Sequence, residues 1–377
     1  MPQGKLRVGI IGANVNYGWG SRAHIPALQA LPQFQVVAVG TQHQETAQET
    51  ASKFNIPLAF SNVEELVNHP DVDLVDVCVR LPAHHQIVMA ALRAGKHVFC
   101  EWPLGVNTDE AKEMAELATA KKVRTMVGLQ RRGSPGFNQL RSLVADGYVG
   151  KVLSCSLTSF SAGYMWRQPS LTWTVDKSKG ASTMSIGGGH SLDALSYCLG
   201  DFQEVAAKVS TQVTRTTPTA TGESVEITSP DNVLVSGVLD GGAVISVHIA
   251  SVMHHGAGFR FEVYGTEGTL VASSMGAQDI TLTGGRGGDK ALQPIPISSV
   301  HSWVPAGVPQ GPPFNVGQIF QHFGDAILTG KPIEADFNHA VRLHQLLDAI
   351  QASSDTGEKQ TVPHGFGKQA TASKRRR

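Results

Sequence analysis

The 377-residue sequence predicts an α/β protein: a doubly wound parallel sheet first, then an α+β region around a large, mostly antiparallel open sheet. Three observations predict it. The chain opens as strand, glycine turn, helix and strand. Strand-like and helix-like segments then alternate to about residue 128. Beyond that point the pattern changes to period-two runs bounded by glycines.

Taken in order, the apolar run Val8 to Ile11 enters the turn at Gly12, a helix is expected over Arg22 to Leu31, and Phe34 to Val39 reads as the second strand. Glu45 to Phe54 is helix-like, Leu58 to Phe60 is a short strand, and Ser61 or Asn62 can cap a helix over Val63 to Asn68. Leu74 to Val79 is a continuous apolar run, as expected of a strand buried on both faces. A helix from Gln86 to Ala94 ends at Gly95, and His97 to Cys100 is the next strand. Thr108 is expected to cap a helix with acids in its first turn and lysines in its last, which suits the helix dipole. Arg124 to Gly128 closes the alternation.

A helix over Phe137 to Asp146 follows. Strands are then expected at Lys151 to Ser159, Glu204 to Gln212, Asn232 to Leu239, Ala243 to Val252, Phe259 to Tyr264 and Thr269 to Ala272. One inner helix, Gly189 to Leu199, interrupts them. Residues 273–313 are rich in Gly, Pro and Ser and read as long loops. Helices Val316 to Thr329 and Phe337 to Ser353 end the fold. The expected domains are 1–128 for a dinucleotide, 129–355 for substrate binding and oligomerisation, and 356–377 as a disordered tail.

Lys plus Arg equals Asp plus Glu at 31 each, which argues against a general nucleic-acid or acidic-membrane surface. No signal-peptide pattern or bilayer-length apolar run is read. Cys78, Cys100, Cys155 and Cys198 show no metal spacing, so no metal is expected and the expected location is the reducing cytoplasm.

The chemistry is carried by three segments. The first is the turn from Gly12 to Gly20, where Asn14 stands at the second glycine position of G-x-G-x-x-G. Glycine lets backbone N–H groups approach a pyrophosphate. The second is His97-Val-Phe-Cys-Glu-Trp-Pro103, at the carboxyl edge of a parallel strand, where open α/β sheets bind ligands. The third is Gly187-Gly-Gly-His190-Ser-Leu-Asp193, which opens the inner helix.

Together these segments resemble the glucose–fructose oxidoreductase / inositol 2-dehydrogenase family, from Lys5 to about Ala352. The resemblance implies a Rossmann domain followed by an α+β domain, a nicotinamide cofactor and hydride transfer at a substrate hydroxyl. The family's strand ends Glu-Lys-Pro, and its second motif has an Asp four residues before a His. Here Trp102 replaces the Lys and Ile186 the Asp, while His190 remains. The departures resemble one branch of the family, which includes the fungal repressor of the galactose regulon. Three readings follow: an NAD(P)-dependent oxidoreductase of a sugar, polyol or glycoside hydroxyl, with an anionic sugar as one substrate class; a glycosidase working by transient oxidation, elimination and reduction; and a nucleotide-binding regulator without turnover.

His190 is the catalytic candidate, since imidazole titrates near neutrality and can take a hydroxyl proton; the alternative is a helix-capping residue. Gly12, Asn14, Tyr17, Gly18, Trp19, Thr41, His84, Glu101, Trp102 and Gln130 are expected around the cofactor. For Trp102, a wall for the nicotinamide or a sugar ring competes with core packing. Thr41 and Gln42 stand where an acid would bind the ribose diol, which favours NAD and leaves NADP open. Arg131, Arg132, Tyr164, Arg167, His190 and Asp193 are expected at the substrate; guanidinium groups bind carboxylates or phosphates in a bidentate way, and surface salt bridges are the alternative. His24 reads as a packing residue. The expected partners are a small carbohydrate and a second copy of the chain, as homodimer or homotetramer, with neither nucleic acid nor membrane.

Overall fold

A computed structural model of the chain describes residues 4–162, 173–217, 222–275 and 280–363. The first sheet contains β1 (Leu6–Ile11), β2 (Phe34–Gly40), β3 (Leu58–Phe60), β4 (Leu74–Val77), β5 (His97–Glu101) and β6 (Thr125–Gly128). Every pairing is parallel and the order is 3-2-1-4-5-6. The strand order therefore reverses between β1 and β4, and the ligand crevice of an open α/β sheet lies at that reversal.

Helices α1 (Ile25–Ala30), α2 (Gln44–Phe54), α3 (Val63–Val67), α4 (His84–Arg93) and α5 (Thr108–Lys121) connect these strands. The first helix is shorter than expected, because a wide turn over Gly20–His24 precedes it. Asn62 caps α3 through its side chain. Asn107, not Thr108, caps α5; the Thr108 hydroxyl instead bonds Asp348. An Asn side chain one residue earlier reaches the Glu110 N–H better than a Thr already inside the first turn.

The second sheet holds β7 (Val152–Phe160), β8 (Phe202–Ser210), β11 (Asn232–Leu239), β12 (Val244–Ala250), β13 (Gly258–Gly265) and β14 (Gly268–Ser274). A separate two-stranded ribbon, β9 (Arg215–Thr216) with β10 (Val225–Glu226), lies beside it. The only parallel pair among the described residues of the second sheet is β7 with β12. Its order continues through two strands that the sequence reading took for loop, β15 (Thr281–Arg286) and β16 (Gln293–Ile295). Gly284 hides the first of them: a Cβ there would meet Leu270, Ile295 and Tyr148, so the strand packs by lacking side chains. The tail also begins later than expected. Gln360–Thr361 forms β17, an edge strand on β8 too short to carry a periodic signal.

Helix α6 (Pro135–Ala145) and the inner helix α7 (Gly189–Leu199) pack on each other. Helix α8 (Pro312–Thr329) lies on α1, and its Val316, Ile319, Phe320 and Phe323 join the core of β1, β2 and β5. Helix α9 (Phe337–Thr356) packs on α5 and β8, within a core shared by the opposite face of the first sheet and the inner face of the second. No helix among the described residues is long and apolar enough to cross a membrane.

Candidate active site

The β1–α1 turn is built from its own polar side chains. Asn14 accepts from the Asn16 N–H at 2.9 Å and bridges to Tyr17, while Val15 N–H is tied to Thr50 on α2. Asn14 therefore shapes the turn locally. Gly12 has φ +101°, and a Cβ there would lie 2.7 Å from the Cys78 carbonyl group. Its glycine is needed for the approach of β1 to the end of β4. Gly18, at φ +109°, has nothing closer than the Gly12 oxygen at 3.6 Å, so it is the uncrowded glycine of the turn. Tyr17 is exposed, and Trp19 keeps a buried indole N–H with no protein acceptor.

A chain of buried charge runs beneath the carboxyl edge of the sheet. His24 Nδ1 lies 2.8 Å from Asp76 Oδ2, and its Nε2 lies 3.1 Å from Glu101 Oε1. Both ring nitrogens face carboxylate oxygens, so both carry protons. Burial alone would push His24 down, but Asp76 and Glu101 overturn that and hold it up at about 10. Gln130 donates to both Glu101 oxygens, at 2.9 and 2.7 Å. Glu101 is thus fixed at the sheet edge, with one oxygen bonded among the described residues by Gln130 alone and its side chain 15% exposed. The sequence signal for this chain was Asp76 itself. An acid inside a strand buried on both faces requires a base beside it.

Several expected cofactor contacts prove to be supports. His84 is buried, with Nδ1 2.9 Å from the Pro103 oxygen and Nε2 3.1 Å from the Val79 oxygen, and burial holds it below its ordinary pKa. It ties the loop after β5 to the end of β4. Trp102 is 5% exposed, donates its indole N–H to the Ser185 oxygen at 2.7 Å and packs on His344. It has no open ring face for a sugar or nicotinamide, so core packing is the outcome. Gln130 acts through Glu101. The Thr41 hydroxyl is engaged with the His43 oxygen and Thr46 at the start of α2.

Among the expected substrate residues, Arg132 and Asp193 are bound to each other. Arg132 bonds both carboxylate oxygens, with Nη2 to Oδ1 at 2.7 Å, and His339 closes the cluster at 2.6 Å from the same Oδ1. Asp193 is 1% exposed and, despite burial, is held well below the usual carboxylate range by Arg132 and His339. This cluster locks the turn after β6 to α7 and α9, and neither residue is left for a substrate. Tyr164 and Arg167 lie outside the described residues.

Arg131 and His190 behave differently. Arg131 donates one N–H to Ser191 Oγ at 2.9 Å and lies 4.5 Å over the Phe259 ring, with no carboxylate in ion-pair range among the described residues. Burial draws it down to about 10, with the field of Asp193 opposing. His190 is half-buried at the start of α7 and makes no hydrogen bond among the described residues. Burial first, and then the Arg131 charge, push it down to about 4 against the opposing field of Asp193. It is neutral near pH 7, with its ring nitrogens unspent.

Residues 6–129 match an oxidoreductase family with an NAD-binding Rossmann fold. Residues 135–274 match the C-terminal domain of Gal80p. The first domain is thus similar to the Rossmann domain of the glucose–fructose oxidoreductase / inositol 2-dehydrogenase family, and the second to the C-terminal domain of Gal80p. Among relatives, levoglucosan dehydrogenase of Pseudarthrobacter phenanthrenivorans is 27% identical over 71% of this chain and 73% of its own. The galactose/lactose metabolism regulatory protein of Kluyveromyces lactis is 26% identical over 63% of this chain and 56% of its own. A solved structure of levoglucosan dehydrogenase with NADH and levoglucosan superposes with a TM-score of 0.84 at 25% identity, covering 95% of this chain and 99% of the other. The residues of the NAD-binding Rossmann domain fit its cofactor: an uncrowded Gly18, an orphaned Trp19 N–H beside the turn, and a fixed carboxylate with a free edge at Glu101.

Proposed function

We propose that the protein is an NAD-dependent oxidoreductase of a sugar, polyol or glycoside hydroxyl, with His190 as the group that takes the hydroxyl proton. On this reading residues 1–128 bind the cofactor and 129–355 bind substrate. The observation that carries it is His190: neutral, half-exposed, unbonded and held at a helix start that no other residue claims. Nicotinamide, when bound, supplies the hydride acceptor. The turn backbone around Gly18 and the free edge of Glu101 would hold it. Departure of hydride makes the hydroxyl strongly acidic, so a weak base suffices for the proton. His190→Ala should lower turnover by about 10²–10⁴-fold while the fold and NAD affinity persist. The pH limb that it removes should lie on the acid side of ordinary histidine, following the downward shift. NADH formation over a panel of sugars and polyols checks both, and normal turnover in the variant would end the assignment.

A second reading, a nucleotide-dependent regulator, is favoured by the Gal80p-like match and by Trp102 and Ile186 at two proton-handling positions of the family. It would bind NAD and a protein partner and turn over nothing in the same panel. Under either reading the open face of the second sheet is proposed as the contact between copies. Leu234, Val244 and Tyr264 are exposed there on one face with Ser156, Ser236 and Ser246. Val244→Lys should convert a sedimenting dimer or tetramer to monomer; a parent that sediments as monomer at micromolar concentration would remove the proposal.

A further inference from the structure

The two consecutive arginines after β6 differ in how their charge is met. Arg132 is matched by a carboxylate in a fork geometry. Arg131 is partly withdrawn from water onto Phe259 and Phe137, and among the described residues the acid whose field reaches it, Asp193, is already committed to Arg132 and His339. A cation drawn out of water without a counter-charge is costly, and chains retain such an arrangement where a ligand supplies the charge.

The remaining donors of Arg131 are available to such a ligand. Among the described residues only Nη1 has a partner, Ser191 Oγ, and no other Arg131 nitrogen is both sealed from solvent and unbonded. Ser191 is itself pinned, donating to the Gly187 oxygen at 2.7 Å, so the guanidinium is held by one corner. Next in sequence to Ser191 stands His190, without a hydrogen bond among the described residues. The turn that opens into α7 is bare at Gly187, where a Cβ would find nothing nearer than Ile249 at 3.9 Å.

We infer that the substrate of this site is an acid: it carries a carboxylate or comparable oxyanion that Arg131 grips while its hydroxyl is presented to His190. This rests on the oxidoreductase reading for the hydroxyl, but not for the anion. A carboxylate on Arg131 also cancels the charge that repels a proton from His190, so binding an acidic substrate makes that imidazole a better base. The other charged group felt by His190 is Asp193 on α7, already neutralised by its own pair.

The test uses the NAD-saturated full-length protein and binding readouts, with D-glucuronate, its neutral analogue D-glucuronamide, and acetate and sulfate as headless anions. The His190 resonances are assigned by comparison with His190→Gln. In the parent, the anions should shift those resonances and raise the titration midpoint of His190, and glucuronate should bind about ten- to a hundredfold more tightly than glucuronamide, the worth of a charge-assisted pair. Arg131→Met should abolish both effects, and Arg131→Lys should keep the midpoint shift while losing most of the affinity. If no anion, up to its solubility limit, moves His190 in the parent, or if the preference persists in Arg131→Met, the anion site is wrong. If the anions bind as expected but no sugar acid or neutral sugar reduces NAD, the oxidoreductase reading fails and the anion site stands.

Discussion

Arg131 and Arg132 leave the same strand, lie in the same short turn and approach the same helix, yet they do opposite things. Arg132 forms a closed cluster with Asp193 and His339 in which each charge has a partner. Arg131 has one hydroxyl and two aromatic faces. The Asp76–His24–Glu101 chain resembles the Arg132 cluster in that both ring nitrogens of its histidine are spent, although it leaves Asp76 Oδ1 buried without a partner among the described residues and Glu101 partly exposed. The difference separates structure from function without reference to any relative. Where buried polar groups satisfy one another they hold elements together; where they do not, the missing partner comes from outside the chain.

The largest effect that tests this division is the alkaline titration of His24. Its folded value is raised from 6.5 to about 10, so its contribution is fully present below about pH 6.5 and is lost as pH rises through 10. The shift bounds that loss at roughly 5 kcal/mol. Urea midpoints from pH 6 to 10.5 should fall steadily across that window. His24→Gln should be less stable at pH 6 and should show a flatter alkaline limb. An unchanged limb in the variant would mean that the imidazole is not charged in the fold, and Glu101 would lose its clamp.

Next in size is Arg132→Met, which leaves Asp193 charged and 1% exposed with only His339 beside it. Removing one member of a buried pair costs about 3–5 kcal/mol. Denaturant unfolding should show a loss of that order, because α7 and α9 are anchored through the same carboxylate. A loss below about 1 kcal/mol would place Arg132 among exposed pairs and reopen it as a substrate residue.

Much of the fold was legible in the sequence because buried parallel strands and glycine turns leave local marks. The inner helix Gly189–Leu199 has the expected bounds, as does β11, Asn232–Leu239. The strands β15 and β17 were not legible: one is built on glycines that make room for neighbours distant in sequence, the other is two residues long. At the site, residue type marked side chains with the chemistry to bind a ligand, and the structure shows which of them already have partners within the chain. His84, Trp102, Arg132 and Asp193 have the chemistry of ligand contacts and spend it within the chain. Whether a polar side chain is already partnered depends on contacts across 61 to 146 residues of sequence, as with Arg132, Asp193 and His339, which no local pattern encodes.

The smallest expected effect concerns Arg131, and it gives the comparison its clearest contrast. Arg131→Met removes a guanidinium that has no ion-pair partner among the described residues and substitutes an unbranched apolar chain able to lie against Phe259 and Phe137. The lost Ser191 hydrogen bond costs about 1 kcal/mol, and relief of an unmatched buried charge offsets it. The unfolding free energy should therefore stay within about 1 kcal/mol of the parent, while the same change removes the preference for an acidic ligand. Measured beside Arg132→Met under identical denaturant conditions, the two neighbouring substitutions should differ by several-fold in cost. Should Arg131→Met prove as destabilising as Arg132→Met, Arg131 has an intramolecular counter-charge after all, and the need for one from the substrate disappears.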